Sequence, residues 1–461
     1  MTQKIGARKT PFIGALTAMA AVSLLCGTLS AQAADSLEDA LAAAYNTNPT
    51  LQAERARLRA TDENVAQAVS GWRPTITASA SYGSQNTRRA SGFGGLVPIQ
   101  RLESNPKTGS LVLNQPIFQG FRTLNSTRQA KAEVRSGRAL LLSTEQEVLL
   151  NAVTAYIDVV RDQAVTELSQ NNVKVLLRQL EAAQDRFEVG EVTRTDVAQA
   201  EARLSGARAN LTQAEAALIT SREAYRRVVG RMPGTLDVPE RLPVLPDTEE
   251  AAAAIAVERN PALRSAIEAE RASEYAVKVA KGALLPRLDF EAAATHTEDQ
   301  SIAGDQTSGY SFFSEVVIPI YQSGVQYSRI RQLKELNNAD RLRVAEVRRE
   351  VVENVAVAWE NLVAARDVIA ASREQVRANE IAFEGVVQEA QVGARTTLDV
   401  LDAEQELLDA QVTLVRARRD EFVAAFALLA ATGQLTAYQL GLPVDYYDPT
   451  EHYERIKWRP F

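Results

Sequence analysis

Leu288-Asp289-Phe290-Glu291-Ala292-Ala293-Ala294-Thr295 reads with a period of two. Leu288, Phe290, Ala292 and Ala294 share one face of an extended chain, and Asp289, Glu291 and Thr295 take the other. Tyr310 to Ile318 is a second such segment, with Ser311 and Glu315 on one face. Thr75 to Gln85 and Thr108 to Gln115 supply two more. Each is near the roughly 9–11 residues that a tilted strand needs to cross a bilayer. Two β-hairpins packed on helices is one reading, and a transmembrane barrel with an apolar outside and a polar lumen is the other. Carboxylates at Asp289, Glu291 and Glu315 have no place in a small dry core and suit a water-filled lumen. The polar, Gly-rich stretches 86–106 and 298–308 read as loops at the strand tips. Four strands cannot close a pore, and open edges are not tolerated in hydrocarbon. Several chains must then share one barrel, and three would give twelve strands.

Outward from these strands, the chain is written twice. Asn48-Pro49-Thr50-Leu51 matches Asn260-Pro261-Ala262-Leu263 at an offset of 212, and Pro74 matches Pro286. Downstream the offset is 203: Val189-Gly190 with Val392-Gly393, Thr193 with Thr396, Asp196-Val197 with Asp399-Val400, and Gly230 with Gly433. One offset held over so many positions marks a duplication. Repeat one is expected over 34–236, with a helix, a hairpin at 75–117 and long helices at 123–187 and 195–229. A Pro-rich linker, 237–247, follows. Repeat two is expected over 248–440, with a hairpin at 287–319 and long helices at 325–391 and 397–432. A polar tail, 441–461, closes the chain. A Pro-free helix of some 65 residues is a rod of roughly 100 Å. Val344, Val347, Val351, Val355, Ala358, Leu362, Ala365, Ile369, Ser372 and Val376 recur at steps of three and four, the seam of a coiled coil.

The first 33 residues read as an address. Lys4, Arg8 and Lys9 precede an apolar run from Phe12 to Leu25, and Ala31-Gln32-Ala33 supplies a cleavage site. Removing those three basic residues takes the net charge from −7 to −10. Cys26 is removed with them, because Leu25 before it is too large for a lipoprotein signal. The whole chain of 461 residues holds one Cys and two His, so it has no material for a disulfide framework, a multi-Cys metal site or a His-based triad. No P-loop or nucleophile–base pair appears either. The expectation is that the chain is not an enzyme and carries no cofactor. Its acidity argues against a nucleic-acid partner.

These motifs resemble the TolC family of outer-membrane efflux ducts, in the branch serving type I secretion and multidrug export. The resemblance covers the mature chain. It rests on the Asn-Pro at the start of each repeat, Pro319 to Gly324, Phe187-Glu188-Val189-Gly190, and above all Val392 to Ala403. It implies a mainly α fold with a small membrane β part: a homotrimeric twelve-stranded β-barrel in the outer membrane, continued by a long α-helical barrel of coiled coils. It implies an iris at the helix tips, with Asp399 and Asp402 ringing the periplasmic entrance and Arg395 clasped to Asp196. Ala390 stands where the family's best-studied pattern has a Tyr. The tips, with Gly190, Thr195, Gly393 and Thr397, would dock a periplasmic adaptor, and an inner-membrane ABC or proton-driven pump would supply energy. Asp196 and Asp399 also fit helix capping boxes begun by Thr193 and Thr396. Asp402 lies beyond the cap, one turn from Asp399 on the same face. The rival to a duct is a soluble periplasmic coiled-coil adaptor or tether, which needs no membrane strands.

Overall fold

A computed structural model describes residues 35–89, 100–239, 241–300 and 304–457. The predicted address, Cys26 included, lies outside them. The chain folds mainly into helices. α1 (Leu37–Thr47) and α2 (Pro49–Ser70) lead into β1 (Thr75–Tyr82), β2 (Gln85–Arg89), β3 (Gln100–Ser104) and β4 (Lys107–Gln119). The rods α3 (Arg122–Glu188) and α4 (Arg194–Val229) follow. The order then recurs as α5 (Glu249–Arg259), α6 (Pro261–Gly282), β5 (Arg287–Glu298), β6 (Gln306–Val317), α7 (Val325–Gln391) and α8 (Thr397–Ala431). A short α9 (Glu451–Ile456) ends it.

The Asn-Pro motifs mark corners rather than helix beginnings in open chain. Asn48 ends α1 and caps α2, its side chain accepting from the Thr50 N–H, and Asn260 does the same between α5 and α6 through Ala262 and Leu263. Pro at the first helical position has no N–H to leave unpaired. Each Asn also donates across the fold, Asn48 to the Val228 carbonyl and Asn260 to the Ala431 carbonyl, both at 3.0 Å.

The rods α3 and α7 each hold 67 residues, about 100 Å at 1.5 Å per residue. Each is folded back on its successor, α3 on α4 and α7 on α8. The predicted seam of α7 is the buried one: Val347, Val351, Val355, Ala358, Leu362, Ala365, Ile369 and Ser372 are all buried. The main core gathers α1, the middle of α3 and the ends of α4 and α8, with Tyr156 and Tyr225 fully buried. The tail docks onto this core: Leu442 is buried, and Arg55 lies between the rings of Tyr45 and Tyr447. No helix among the described residues is long and apolar enough to cross a membrane.

The two hairpins fuse into one antiparallel sheet, β1-β4-β5-β6. The 86–106 stretch corrects the loop expectation: β2 and β3 pair there as a ribbon. Leu102 is the one apolar residue in its ten, so no alternation betrays its strands. The backbone ladder holds the ribbon, and Asn86 donates to Glu103 across it at 3.0 Å.

Candidate functional site

Register fixes which side chains share a face of the sheet. Ile76, Ala78 and Ala80 of β1 align with Leu113, Leu111 and Gly109 of β4. These continue through Ala292 and Ala294 of β5 to Phe312 and Tyr310 of β6. Phe290 and Phe312 stack on this face with ring centroids 6.4 Å apart. The opposite face carries Thr75, Thr77, Ser79 and Ser81, then Asn114, Val112 and Ser110, then Asp289, Glu291, Ala293 and Thr295, then Glu315, Phe313 and Ser311. Ser79 and Ser110 bond to each other at 2.7 Å, and Gln119 donates to Asp289 at 2.5 Å. No helix packs along either face among the described residues. One mainly apolar face and one that carries the carboxylates, both uncovered, is the arrangement of a wall between lipid and water.

At the far end of the rods the chain turns twice. Gly190 (φ 81°) and Gly393 (φ 77°) adopt left-handed backbone after α3 and α7. Nothing would meet a Cβ at either position, so conformation and not space selects glycine there. Thr193 then caps α4 and Thr396 caps α8. The Thr396 N–H and hydroxyl donate to Asp399 at 2.9 and 2.8 Å, and the Asp399 N–H returns a bond at 3.3 Å. Asp196 stands in the same relation to Thr193. These bonds hold both carboxyls below the usual carboxylate range. Thr195 is exposed, and Thr397 is half-buried at the second turn.

Within one chain Arg395 and Asp196 form no ion pair among the described residues. Arg395 donates to Glu389 at 2.8 Å instead, and that bond is the first reason its guanidinium is held more firmly protonated. It lines a cleft of about 130 Å³ with Arg186 of α3 and Val400 of α8. Asp402 is bonded to Arg203 of α4.

Sequence reasoning missed three groups along the rods. Arg203 is one. A second is the upper ion network, where Arg419 of α8 donates to Asp158 of α3 at 2.8 Å and Arg161 donates to the same carboxylate at 2.9 Å. The third is Glu404 on α8, which is 7% exposed and has Oε2 without a partner. Burial pushes its carboxyl up to about 7. The folded chain therefore binds this proton more tightly than the unfolded chain, whose value is the ordinary 4.5. The stability it contributes is present below that ordinary value and is lost as pH rises through about 7. Glu404→Gln is expected to raise the melting temperature at about pH 8 and to leave it nearly unchanged at about pH 5. Equal melting of both chains at the higher pH would show a solvated carboxylate.

The family profile described as outer membrane efflux protein matches residues 40–231 and 253–434. The outer membrane efflux protein BepC of Brucella suis biovar 1 is 40% identical over 456 residues, covering 98% of this chain and 97% of that protein. The outer membrane protein TolC of Vibrio cholerae is 28% identical over 425 residues, covering 90% and 94%. Among solved structures, the CmeC outer membrane channel of Campylobacter jejuni superposes with a TM-score of 0.78 at 15% identity, covering 92% of this chain and 89% of that one.

Proposed function

This chain belongs to the outer membrane efflux protein family, and on that premise we propose that three copies form one gated duct from the periplasm to the exterior. The family makes it an outer-membrane efflux channel and not an enzyme. The observation that carries a barrel shared between copies is the sheet, and three is the number the family resemblance implies. β1 and β6 are its free edges, and with four strands alternating in direction, β6 of one copy meets β1 of the next antiparallel. Three sheets then close twelve strands with the apolar face outward. The elongated single chain also leaves much surface free for neighbours. One chain exposes 29526 Å², against roughly 17,000 Å² for a monomeric globular chain of this mass.

The cargo crosses passively, and an inner-membrane ABC or proton-driven pump drives it. Proteins of a type I system, drugs and small molecules are all within reach, because the polar wall offers hydration rather than a fitted pocket. The two turns, with Gly190, Thr195, Gly393 and Thr397, receive a periplasmic adaptor. The gate lies beside them. Asp399 and Asp402 from three copies ring the entrance, and Arg395 clasps Asp196 of a neighbouring copy when the iris is shut. Opening is a realignment of packed coiled coils between two states. Clustered carboxylates attract cations, so currents across a planar bilayer should be cation-selective and blocked by divalent cations. Joint replacement Asp399→Asn and Asp402→Asn should remove both properties. A double variant that keeps wild-type selectivity and block would sink the ring.

A further inference from the structure

Two ionic rungs tie α8 to the helices of the first repeat, and they differ in kind. The upper rung is the Asp158 network, whose side chains Asp158 and Arg419 are about a quarter exposed. The lower rung is Arg203 with Asp402, 42% and 52% exposed. They lie 17 residues apart along α8, roughly 25 Å. A solvated pair held by two long side chains is weak and readily released. A shared, half-buried carboxylate with two guanidinium partners is firmer. The upper rung therefore acts as the pivot and the lower as the part that can let go.

The lower rung also changes the charge at the entrance. Five of the charged side chains at this end lie in two groups, Arg203 with Asp402 and Arg395 with Glu389 and Asp399. Together they carry a net charge of −1, and without Arg203 they carry −2. We propose that Arg203 masks the charge of Asp402 and so sets the ion selectivity of the resting entrance, while its release on opening unmasks it. This inference rests on the duct reading above.

Reversal potentials in a KCl gradient and Mg²⁺ block, recorded on single channels, test it. Arg203→Gln is expected to move the reversal potential toward the potassium equilibrium value and to lower the half-blocking Mg²⁺ concentration severalfold. Arg203→Lys should behave as wild type. Added to Asp402→Asn, Arg203→Gln should move both readings less than it does alone. Arg419→Gln should leave selectivity unchanged. A conducting Arg203→Gln channel with wild-type reversal potential and block overturns the proposal, and so does a change in conductance alone, which is what a purely structural strut would give. If Arg203→Gln yields no channel, the exchange Arg203→Asp with Asp402→Arg decides: wild-type selectivity supports the pairing, and altered selectivity overturns it. Absence of any current from wild type would instead refute the duct.

Discussion

A chain carrying Ala292→Arg is expected to fail to enter the outer membrane, while one carrying Ala293→Arg inserts and conducts. The two positions are neighbours on β5, bear the same side chain and are both half-buried. They differ in face alone. Ala292 aligns with Leu113 and Phe312, and Ala293 aligns with Val112 and Ser311 beside Glu291. An arginine on the lipid face near the bilayer midplane costs about 2–4 kcal/mol per chain, and the cost recurs in every copy of a ring. On the other face the guanidinium stays in water and meets carboxylates, so the expected change is weaker cation preference. SDS-resistant oligomer recovered from outer-membrane fractions measures the first effect, and bilayer currents measure the second. Equal recovery of both variants would mean that the apolar face does not meet lipid.

A second large effect is expected where the sheet joins the rods. Gly282 ends α6 against Gly120, the residue after β4. A Cβ on Gly282 would sit 2.5 Å from the Gly120 carbonyl oxygen, and one on Gly120 would sit 2.4 Å from the Gly282 carbonyl oxygen. Both obstacles are backbone, and Gly120 also holds a left-handed φ of 59°. Neither strand nor helix can retreat without shifting its whole element. Gly282→Ala is expected to lower stability by about 1–3 kcal/mol, the usual penalty of overpacking. Gly206→Ala, in the middle of α4 with nothing within 4 Å of the new methyl, should do the reverse and stabilise by about 0.5–1 kcal/mol. Denaturant or thermal unfolding of the two variants compares the signs. A Gly282→Ala chain as stable as wild type would show that the crossing can open to admit the methyl group.

The elements could be read from the sequence wherever a local period carried them. The α7 seam from Val347 to Ser372 repeats at three and four, and burial follows it. The alternation of Leu288 to Thr295 survives as the two faces of β5. What could not be read depends on which distant elements become neighbours. The β4–β5 join pairs Gln115 with Phe290 across 175 positions, and neither strand carries a mark of it. Polar Gln85 to Arg89 gives no alternation, so its ladder was invisible. The tip shows the same divide. The capping boxes of Asp196 and Asp399 are local and legible. The Arg203–Asp402 bond needs α4 and α8 side by side, with Arg203 four residues further from its cap than Asp402 is from its own. That stagger is roughly 6 Å, the reach of an arginine. Glu404 illustrates the limit most plainly, because Glu201 occupies the same place in the first repeat and is exposed.

The two bare edges of the sheet have a genetic consequence. The proposed ring of three is only as sound as its worst member, since in it each copy must offer a good β1 to one neighbour and a good β6 to the other. A copy that still pairs at one edge but fails at the other is incorporated and spoils the whole. Co-expressed in equal amount with the normal chain, such a copy leaves about one ring in eight free of it. Lesions confined to β1 or β6 should therefore be dominant, whereas lesions that prevent the sheet from forming at all should be recessive.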